Sequence, residues 1–244
     1  MKKDLKTIFF AAAIFGTSLL GALSPAKATL IPADILWLID VSGSMGDDID
    51  RVQDRIVEFN DAMVANGIDA HYGLVEFGNG EFLAQDITDF PTFNDPLGPF
   101  QTISTSGGIE KGSTAILTGL GAAFRQGSTK NFILITDEDD DSTLNDFLAA
   151  DQGLSAVDAL FNFIGIPGFG NTDDRYGILA ANHSGSAFNI MDFRNDTEAF
   201  FTKFIDTKVE EITYSTAPVP EPATVLLLVL GLAGFVAAHR KKKK

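Results

Sequence analysis

The sequence contains no cysteine, three histidines and a single tryptophan among its 244 residues. Without cysteine the chain has no disulfide framework and no thiol nucleophile, so a folded domain must be stabilised by its apolar core or by a bound metal. The sequence also lacks a Gly-x-Ser-x-Gly elbow, and its "GFGNTD" segment lacks the third glycine of a dinucleotide-binding loop. We therefore predict no catalytic residue and expect that the protein is not an enzyme.

Basic residues are scarce between Thr29 and Ala217, where 9 Lys and Arg accompany 31 Asp and Glu, a net charge of 9 − 31 = −22. A surface this acidic repels nucleic acid and anionic membranes, and it attracts cations. We therefore expect no nucleic-acid partner. The acidity can equally serve only to keep an exported protein in solution.

The amino-terminal segment has the three parts of a secretory signal peptide. Residues 1–28 have three lysines among the first six residues, continue as an apolar run over residues 8–23 and end in "AKA" at Ala28. The apolar run is shorter than the ~20 residues of a spanning helix, which argues against a permanent anchor. We predict cleavage after Ala28 and export of the remaining chain.

The carboxyl-terminal segment consists of a linker at 215–222 with Pro220, Glu221 and Pro222, an apolar run at 223–238 and a basic tail at 239–244. Sixteen helical residues reach ~24 Å, and the lysines that follow can extend this toward a ~30 Å hydrocarbon core. We predict a transmembrane helix with its basic tail in the cytoplasm. This order of parts resembles the PEP-CTERM sorting signal of Gram-negative bacteria. The resemblance implies processing by an exosortase-type enzyme, transient anchoring in the inner membrane and transfer to the cell surface or extracellular matrix.

Residues 29–214 are about the size of one domain and alternate between strand and helix patterns. The predicted strands cover 33–41, 71–77, 81–90, 131–136, 161–166 and 187–191, and the main helices cover 47–65, 114–126, 142–160, 172–182 and 195–212. Such alternation predicts an α/β fold with a doubly wound, mostly parallel sheet flanked by helices. The "GNG" turn between the second and third strands predicts a hairpin, and hence one antiparallel edge strand.

Polar side chains with oxygen donors follow two of the buried strands. Asp40 ends the first strand and is followed by Ser42 and Ser44, while Asp137 follows the strand at 131–136. Because ligands bind at the carboxyl ends of strands in such folds, we expect both carboxylates at one edge of the sheet. Oxygen ligands suit Mg²⁺, Mn²⁺ or Ca²⁺ better than zinc or copper. Taken alone, the Asp-x-Ser-x-Ser pattern could also be a turn that caps the next helix.

In this context the segments "ILWLIDVSGSM", "GSTAILTGL" and "FILITDE" resemble the von Willebrand factor type A family, whose fold is Rossmann-like. The resemblance implies a metal-ion-dependent adhesion site formed by Asp40, Ser42, Ser44, Thr114 and Asp137. The family usually has glycine after the last aspartate, whereas this chain has an acidic run at 138–141. The spacing of that run does not fit an EF-hand loop, which favours a solvated acidic turn over a second calcium site.

The resemblance implies that a bound cation, preferably Mg²⁺, holds an Asp or Glu of a protein partner at an open coordination position. A second function remains open at this point. The domain could be an acidic, Ca²⁺-gathering structural component of a surface polysaccharide matrix, with no specific partner held by the metal.

Overall fold

The computed structural model describes residues 29–166 and 174–215. The predicted signal peptide, the Pro220–Pro222 motif and the apolar run at 223–238 lie outside the described residues. All of the elements given below belong to the compact unit that begins at Ile31. None of the helices within the described ranges is long and apolar enough to cross a membrane.

The described residues form one six-stranded sheet with the order β3-β2-β1-β4-β5-β6. The strands are β1 (Ile31–Asp40), β2 (Ile68–Phe77), β3 (Phe82–Thr88), β4 (Thr129–Ile135), β5 (Leu160–Gly165) and β6 (Ala187–Asn189). Only the β2–β3 pair is antiparallel, and the other neighbours are parallel. The predicted doubly wound sheet with one antiparallel edge strand is therefore confirmed.

Helices cover both faces of this sheet. They are α1 (Gly46–Ala65), α2 (Phe90–Phe93), α3 (Gly112–Gly119), α4 (Leu144–Ala156), α5 (Arg175–Asn182), α6 (Ile190–Asn195) and α7 (Thr197–Ser215). Buried side chains of α1, α6 and α7 pack on one face, and those of α3, α4 and α5 pack on the other. Each face of the sheet thus has its own apolar core, as expected for parallel strands buried on both sides.

The central strand β1 contributes to both cores by the alternation of its side chains. Trp37 and Ile39 belong to the α1–α7 side, whereas Leu36 and Leu38 belong to the α3–α5 side. The indole ring of Trp37 contacts the ring of Phe59 in α1 at a centroid distance of 5.4 Å. All residues from Ala33 to Asp40 are buried, so the end of β1 has a fixed position.

Several element boundaries differ from the sequence-based expectation. The helix expected at 142–160 ends at Ala156, and the strand expected at 187–191 ends at Asn189, because α6 begins at Ile190. The helix expected at 114–126 ends at Gly119, because the chain turns there to place Arg125 against the buried Asp34. Gly119 approaches the sheet so closely that a Cβ atom on it would lie 2.5 Å from Leu36. The helix expected at 195–212 corresponds to α7, which runs from Thr197 to Ser215. The short helix α6 precedes it.

Candidate metal site

The two predicted carboxylate ligands follow neighbouring strands at the centre of the sheet. β1 ends at Asp40, and Asp137 stands two residues after the last residue of β4. β1 and β4 pair in parallel. From β1 the chain first adds β2 and β3 on one side of the sheet, and then adds β4, β5 and β6 on the other side. This position is the topological switch point at which α/β sheets bind their ligands.

A chain of hydrogen bonds joins four of the five predicted residues. The backbone N–H of Ser42 donates to Asp40 Oδ1 at 2.7 Å, and the hydroxyls of Ser42 and Ser44 lie 3.2 Å apart. Ser44 then donates its hydroxyl to Asp137 Oδ1 at 2.8 Å. Asp40 and Ser42 are buried, whereas Ser44 is exposed. The group therefore begins inside the sheet edge and reaches solvent at Ser44.

The surroundings of Asp40 hold its carboxylate without neutralising its charge. Oδ2 accepts the hydroxyl of Thr136 at 2.7 Å, and Oδ1 faces Gly78, where a Cβ atom would lie only 2.8 Å away. Burial raises the pKa of Asp40, the hydrogen bonds from Ser42 and Thr136 oppose this rise, and the charge of Asp137 adds to it. Neutral donors and a like charge are an environment in which a cation would favour the ionised carboxylate.

Thr114 is positioned by a different set of contacts. It lies in the first turn of α3, and both its backbone N–H and its hydroxyl pair with the hydroxyl of Ser142, at 3.2 and 3.3 Å. Its hydrogen bonds thus connect α3 to the loop after β4 and do not join it to the other four predicted residues. Assignment of Thr114 to the metal site depends on the family resemblance.

The acidic run at 138–141 differs from the expected solvated turn at Asp140. The side chain of Asp140 is 1% exposed, and its oxygens accept the backbone N–H of Ser113 at 3.2 Å and the hydroxyl of the same residue. Asp140 also accepts the backbone N–H of Ser142 at 3.1 Å and forms an ion pair with Arg175 at 3.5 Å. This carboxylate anchors α3 to the loop, which is a structural role, while Asp139 beside it is exposed.

Arg194 of α6 contacts the candidate site, although nothing in the sequence marks it. Its Nη2 atom lies 2.7 Å from Asp137 Oδ2 and 2.5 Å from Asp48 Oδ2, so one guanidinium contacts a predicted ligand and a buried carboxylate of α1. The segment that contains Arg194 follows β6 and is separated from Asp137 by more than fifty residues of sequence. No local pattern marks this contact, because only the folded arrangement of α1, α6 and β4 creates it.

Glu110, which precedes α3, is a second residue near the site that the sequence does not reveal. Glu110 is 6% exposed. Its backbone N–H donates to Asp141 Oδ2 at 3.1 Å, and its backbone carbonyl accepts the N–H of Asp141 at 2.9 Å. Burial raises the pKa of Glu110 to about 7, and the charges of Asp40, Glu138 and Asp141 contribute to the rise. A third acidic group therefore lies within electrostatic reach of Asp40.

The donors present fit a hard divalent cation. In the described part of the chain no group of three or more His, Cys, Asp or Glu side chains is arranged to hold a metal. At the β1–β4 edge two carboxylates are accompanied by the hydroxyls of Ser42 and Ser44, all of them oxygen donors. Two carboxylates match the charge of Mg²⁺, Mn²⁺ or Ca²⁺, and oxygen is the donor that these ions prefer.

Comparison with known families and structures agrees with this architecture. The family model of the von Willebrand factor type A domain matches residues 34–203, and that of the PEP-CTERM protein-sorting motif matches residues 218–241. A comparison with curated proteins gives no match.

Solved structures with a similar fold include three proteins of low sequence identity. One is a von Willebrand factor type A protein from Catenulispora acidiphila, with 17% identity, coverage of 75% of this chain and 43% of that chain, and a TM-score of 0.56. Another is proximal thread matrix protein 1 from the mussel byssus, with 20% identity, coverage of 74% and 49%, and a TM-score of 0.56. The conserved hypothetical protein BatB from Bacteroides thetaiotaomicron has 16% identity, coverage of 75% and 98%, and a TM-score of 0.55. This chain spans less than half the length of the first two, and these likenesses concern the fold alone.

The sorting motif indicates an exported protein of Gram-negative bacteria that is processed by exosortase-type machinery. Domains of the matched type commonly bind a divalent metal. The family model covers most of the sheet and its helices, including Asp40, the serines after it and Asp137. The chain belongs to the von Willebrand factor type A domain family and carries a carboxyl-terminal PEP-CTERM sorting motif.

Proposed function

We propose that this chain is a non-catalytic surface protein whose domain binds a divalent cation and, through it, an acidic residue of a protein partner. The metal ligands are Asp40, Ser42, Ser44, Thr114 and Asp137. The observation that carries the proposal is the hydrogen-bonded series from Asp40 to Asp137 at the switch point of the sheet. Thr114 enters this set from the family resemblance, since its hydroxyl pairs with Ser142.

The charges of these ligands favour a site that binds a further carboxylate. Asp40 and Asp137 together balance a dication, and the hydroxyl ligands are neutral, so a bound ion would keep its attraction for another anion. The exposed Ser44 places one side of the ligand set at the protein surface. A partner's Asp or Glu could therefore reach the ion directly. We favour Mg²⁺, with Mn²⁺ or Ca²⁺ as possible substitutes.

The ends of the chain determine where this binding takes place. We propose that the signal peptide is removed after Ala28 and that residues 223–238 anchor the protein transiently in the inner membrane. Processing near Pro220–Pro222 by an exosortase-type enzyme then transfers the domain to the cell surface or extracellular matrix. The match of residues 218–241 to the sorting motif supports this route.

Metal analysis and affinity capture test the proposal together. We expect about one equivalent of Mg²⁺ or Mn²⁺ per chain, and loss of this metal in the Asp40→Ala variant with the fold retained in circular dichroism. Asp47→Ala is the matched control, because Asp47 is an exposed acid close to the same site. Capture from the organism's envelope should retain partners in Mg²⁺ and lose them in EDTA and with Asp40→Ala.

Two results would contradict this function. Equal metal content in Asp40→Ala and wild type would place the cation elsewhere. A captured set of proteins that does not change in EDTA would show that no partner is held through the metal. If each chain also bound several Ca²⁺ ions weakly, the second function, an acidic component of the matrix, would be favoured instead.

A further inference from the structure

Arg194 brings a permanent positive charge into direct contact with the candidate metal site. Its Nη2 atom lies 2.7 Å from Asp137 Oδ2. The other oxygen of the same carboxylate, Oδ1, accepts the hydroxyl of Ser44 at 2.8 Å. Asp137 is thus shared between an internal guanidinium on one side and the predicted metal ligands on the other.

Asp48 holds this guanidinium in place. Arg194 Nε lies 3.1 and 3.0 Å from the two oxygens of Asp48, and Nη2 lies 2.5 Å from Oδ2. The side chain of Asp48 is 1% exposed, and hydrogen bonding to it raises the pKa of Arg194 further above its ordinary range. A planar guanidinium paired in this way with a buried carboxylate is strongly retained.

We propose that Arg194 is a built-in cation of the metal site, which shares Asp137 with the divalent ion and thereby lowers the affinity of the site for metal. This inference rests on the proposed function. The guanidinium neutralises part of the charge of Asp137 and repels a dication that approaches the opposite oxygen of that carboxylate. Because Asp48 retains the guanidinium, the dication binds beside Arg194 and does not replace it.

A purely structural role for Arg194 predicts the opposite effect on metal binding. If Arg194 only oriented Asp137, its removal would loosen a ligand and weaken the binding of metal, as loss of an outer-shell hydrogen bond commonly does. If its charge sets the affinity, its removal strengthens binding. The direction of the change in affinity therefore distinguishes the two roles.

Calorimetric titration of the purified full chain with MgCl₂ and MnCl₂ at low ionic strength measures this direction. For Arg194→Gln we expect metal affinity to increase about tenfold or more, because one unit of positive charge next to a ligand is removed. Arg51→Gln is the matched control. Arg51 also pairs with Asp48, at 3.3 Å, but its ion pair does not involve Asp137, so its removal should change the affinity little.

Arg194→Gln leaves the buried Asp48 with a weaker set of partners and can therefore lose stability. The same removal of Arg194 is therefore repeated in the Asp48→Asn background, where no buried carboxylate is left without its partner. The double variant Asp48→Asn/Arg194→Gln should bind Mg²⁺ more tightly than Asp48→Asn alone. Thermal melting of each variant records whether it is folded.

The outcomes separate this inference from the function on which it depends. Tighter binding on removal of Arg194 in either background supports the inference. If wild type binds no metal while the variant does, the proposed function of the native chain fails, although the effect of Arg194 on affinity stands. Wild-type binding that is unchanged or weakened by removal of Arg194 in both backgrounds overturns the inference and leaves the proposed function intact. If neither wild type nor any variant binds Mg²⁺ or Mn²⁺, the proposed function fails, and the inference fails with it.

Discussion

Asp40 has a well-defined structural position, and it is also the residue that we propose as the first metal ligand. It is fully buried at the end of β1, and its oxygens accept hydrogen bonds from the backbone of Ser42 and the hydroxyl of Thr136. Both donors are neutral, so they fix the direction of the carboxylate and leave its charge available to a cation. Gly78 is the neighbour that permits this arrangement, because a side chain there would collide with Asp40.

Glu110 gives the domain a pH-dependent stability. Its pKa is about 7 in the folded chain, against an ordinary value of 4.5. Between these two pH values Glu110 is therefore mostly protonated in the folded state and mostly ionised in the unfolded state. The contribution of Glu110 is fully present below about pH 4.5 and is lost as the pH rises through about 7. In EDTA, Glu110→Gln should therefore be more stable than wild type at pH 8 by ~1–2 kcal/mol. This is less than the full pKa difference would give, because salt screens the neighbouring charges that contribute to the shift.

Urea denaturation at pH 5 and pH 8 measures this difference. The exposed Glu198→Gln is the control, and it should follow the wild-type dependence on pH. If Glu110→Gln lost as much stability between the two pH values as wild type does, the neutralisation of Glu110 would not be the cause.

The residues of the site differ in how far the sequence reveals them. The positions of Asp40, Ser42 and Ser44 could be predicted because Asp40 ends a buried strand and the serines come just after it, and that of Asp137 because it follows a second strand. The grouping of these four at one edge follows from parallel pairing of β1 and β4. Arg194 and Glu110 could not be predicted, since their roles depend on contacts between segments far apart in the chain.

The connection from α3 to β4 is held by an ion pair between Arg125 and a buried carboxylate. Asp34 of β1 is fully buried, and it accepts Arg125 Nε and the Arg125 backbone N–H, each at 2.6 Å, and the Ser128 hydroxyl at 2.7 Å. The guanidinium of Arg125 also reaches Asp69 of β2 at 2.8 Å. One side chain thus joins this loop to two strands at the end of the sheet opposite to the candidate metal site.

Removal of Arg125 should destabilise the domain strongly. Arg125→Met leaves the carboxylate of Asp34 buried without its counter-ion, and we expect a loss of ~2–4 kcal/mol in the free energy of unfolding. Arg55→Met is the control, because Arg55 pairs with Glu58 at 2.8 Å on an exposed part of α1 and should cost less than ~1 kcal/mol. Urea denaturation compares the two. Equal losses would mean that the Asp34 pair contributes no more than a surface pair.

The loop after β4 offers a similar comparison between adjacent residues. Asp140 accepts two hydrogen bonds from Ser113 at the start of α3, whereas Asp139 is exposed. Asp140→Ala should cost ~2–3 kcal/mol, because buried donors lose their acceptor, and Asp139→Ala should stay within ~0.5 kcal/mol of wild type. Thermal or urea denaturation of the two variants in EDTA checks this. A larger loss for Asp139→Ala would contradict the anchoring role of Asp140.

Element boundaries were predictable where a pattern of side chains continues, and less so where tertiary contacts end it. The apolar spacing in α1 defines a helix from Gly46 to Ala65, close to the predicted 47–65. The helix predicted from Thr114 was too long, because nothing in the local sequence shows that Gly119 lies against β1 or that Arg125 has a buried partner. The α6–α7 boundary lies at Asp196, whose carboxylate accepts the backbone N–H of Ala199 at 3.0 Å.

At the scale of the whole molecule, charge and fold act on the site in different ways. The sheet brings two carboxylates to one edge, and the −22 charge between Thr29 and Ala217 gives the domain as a whole a negative potential. Such a potential raises the local concentration of cations and opposes the approach of an acidic partner. Salt reduces both effects, since the Debye length shortens from ~30 Å at 0.01 M to ~8 Å at 0.15 M ionic strength.

Mg²⁺ affinity should therefore decrease as salt increases. We expect a several-fold loss between ~0.01 and ~0.15 M ionic strength, because distant acidic residues cease to attract the ion while Asp40 and Asp137 still bind it. Calorimetric titration in NaCl and in choline chloride at equal ionic strength separates screening from competition by Na⁺, and both salts should give the same loss. An affinity that stays constant across this range would show that only the nearby carboxylates determine binding. In that case the overall acidity would contribute to solubility and not to the affinity for Mg²⁺.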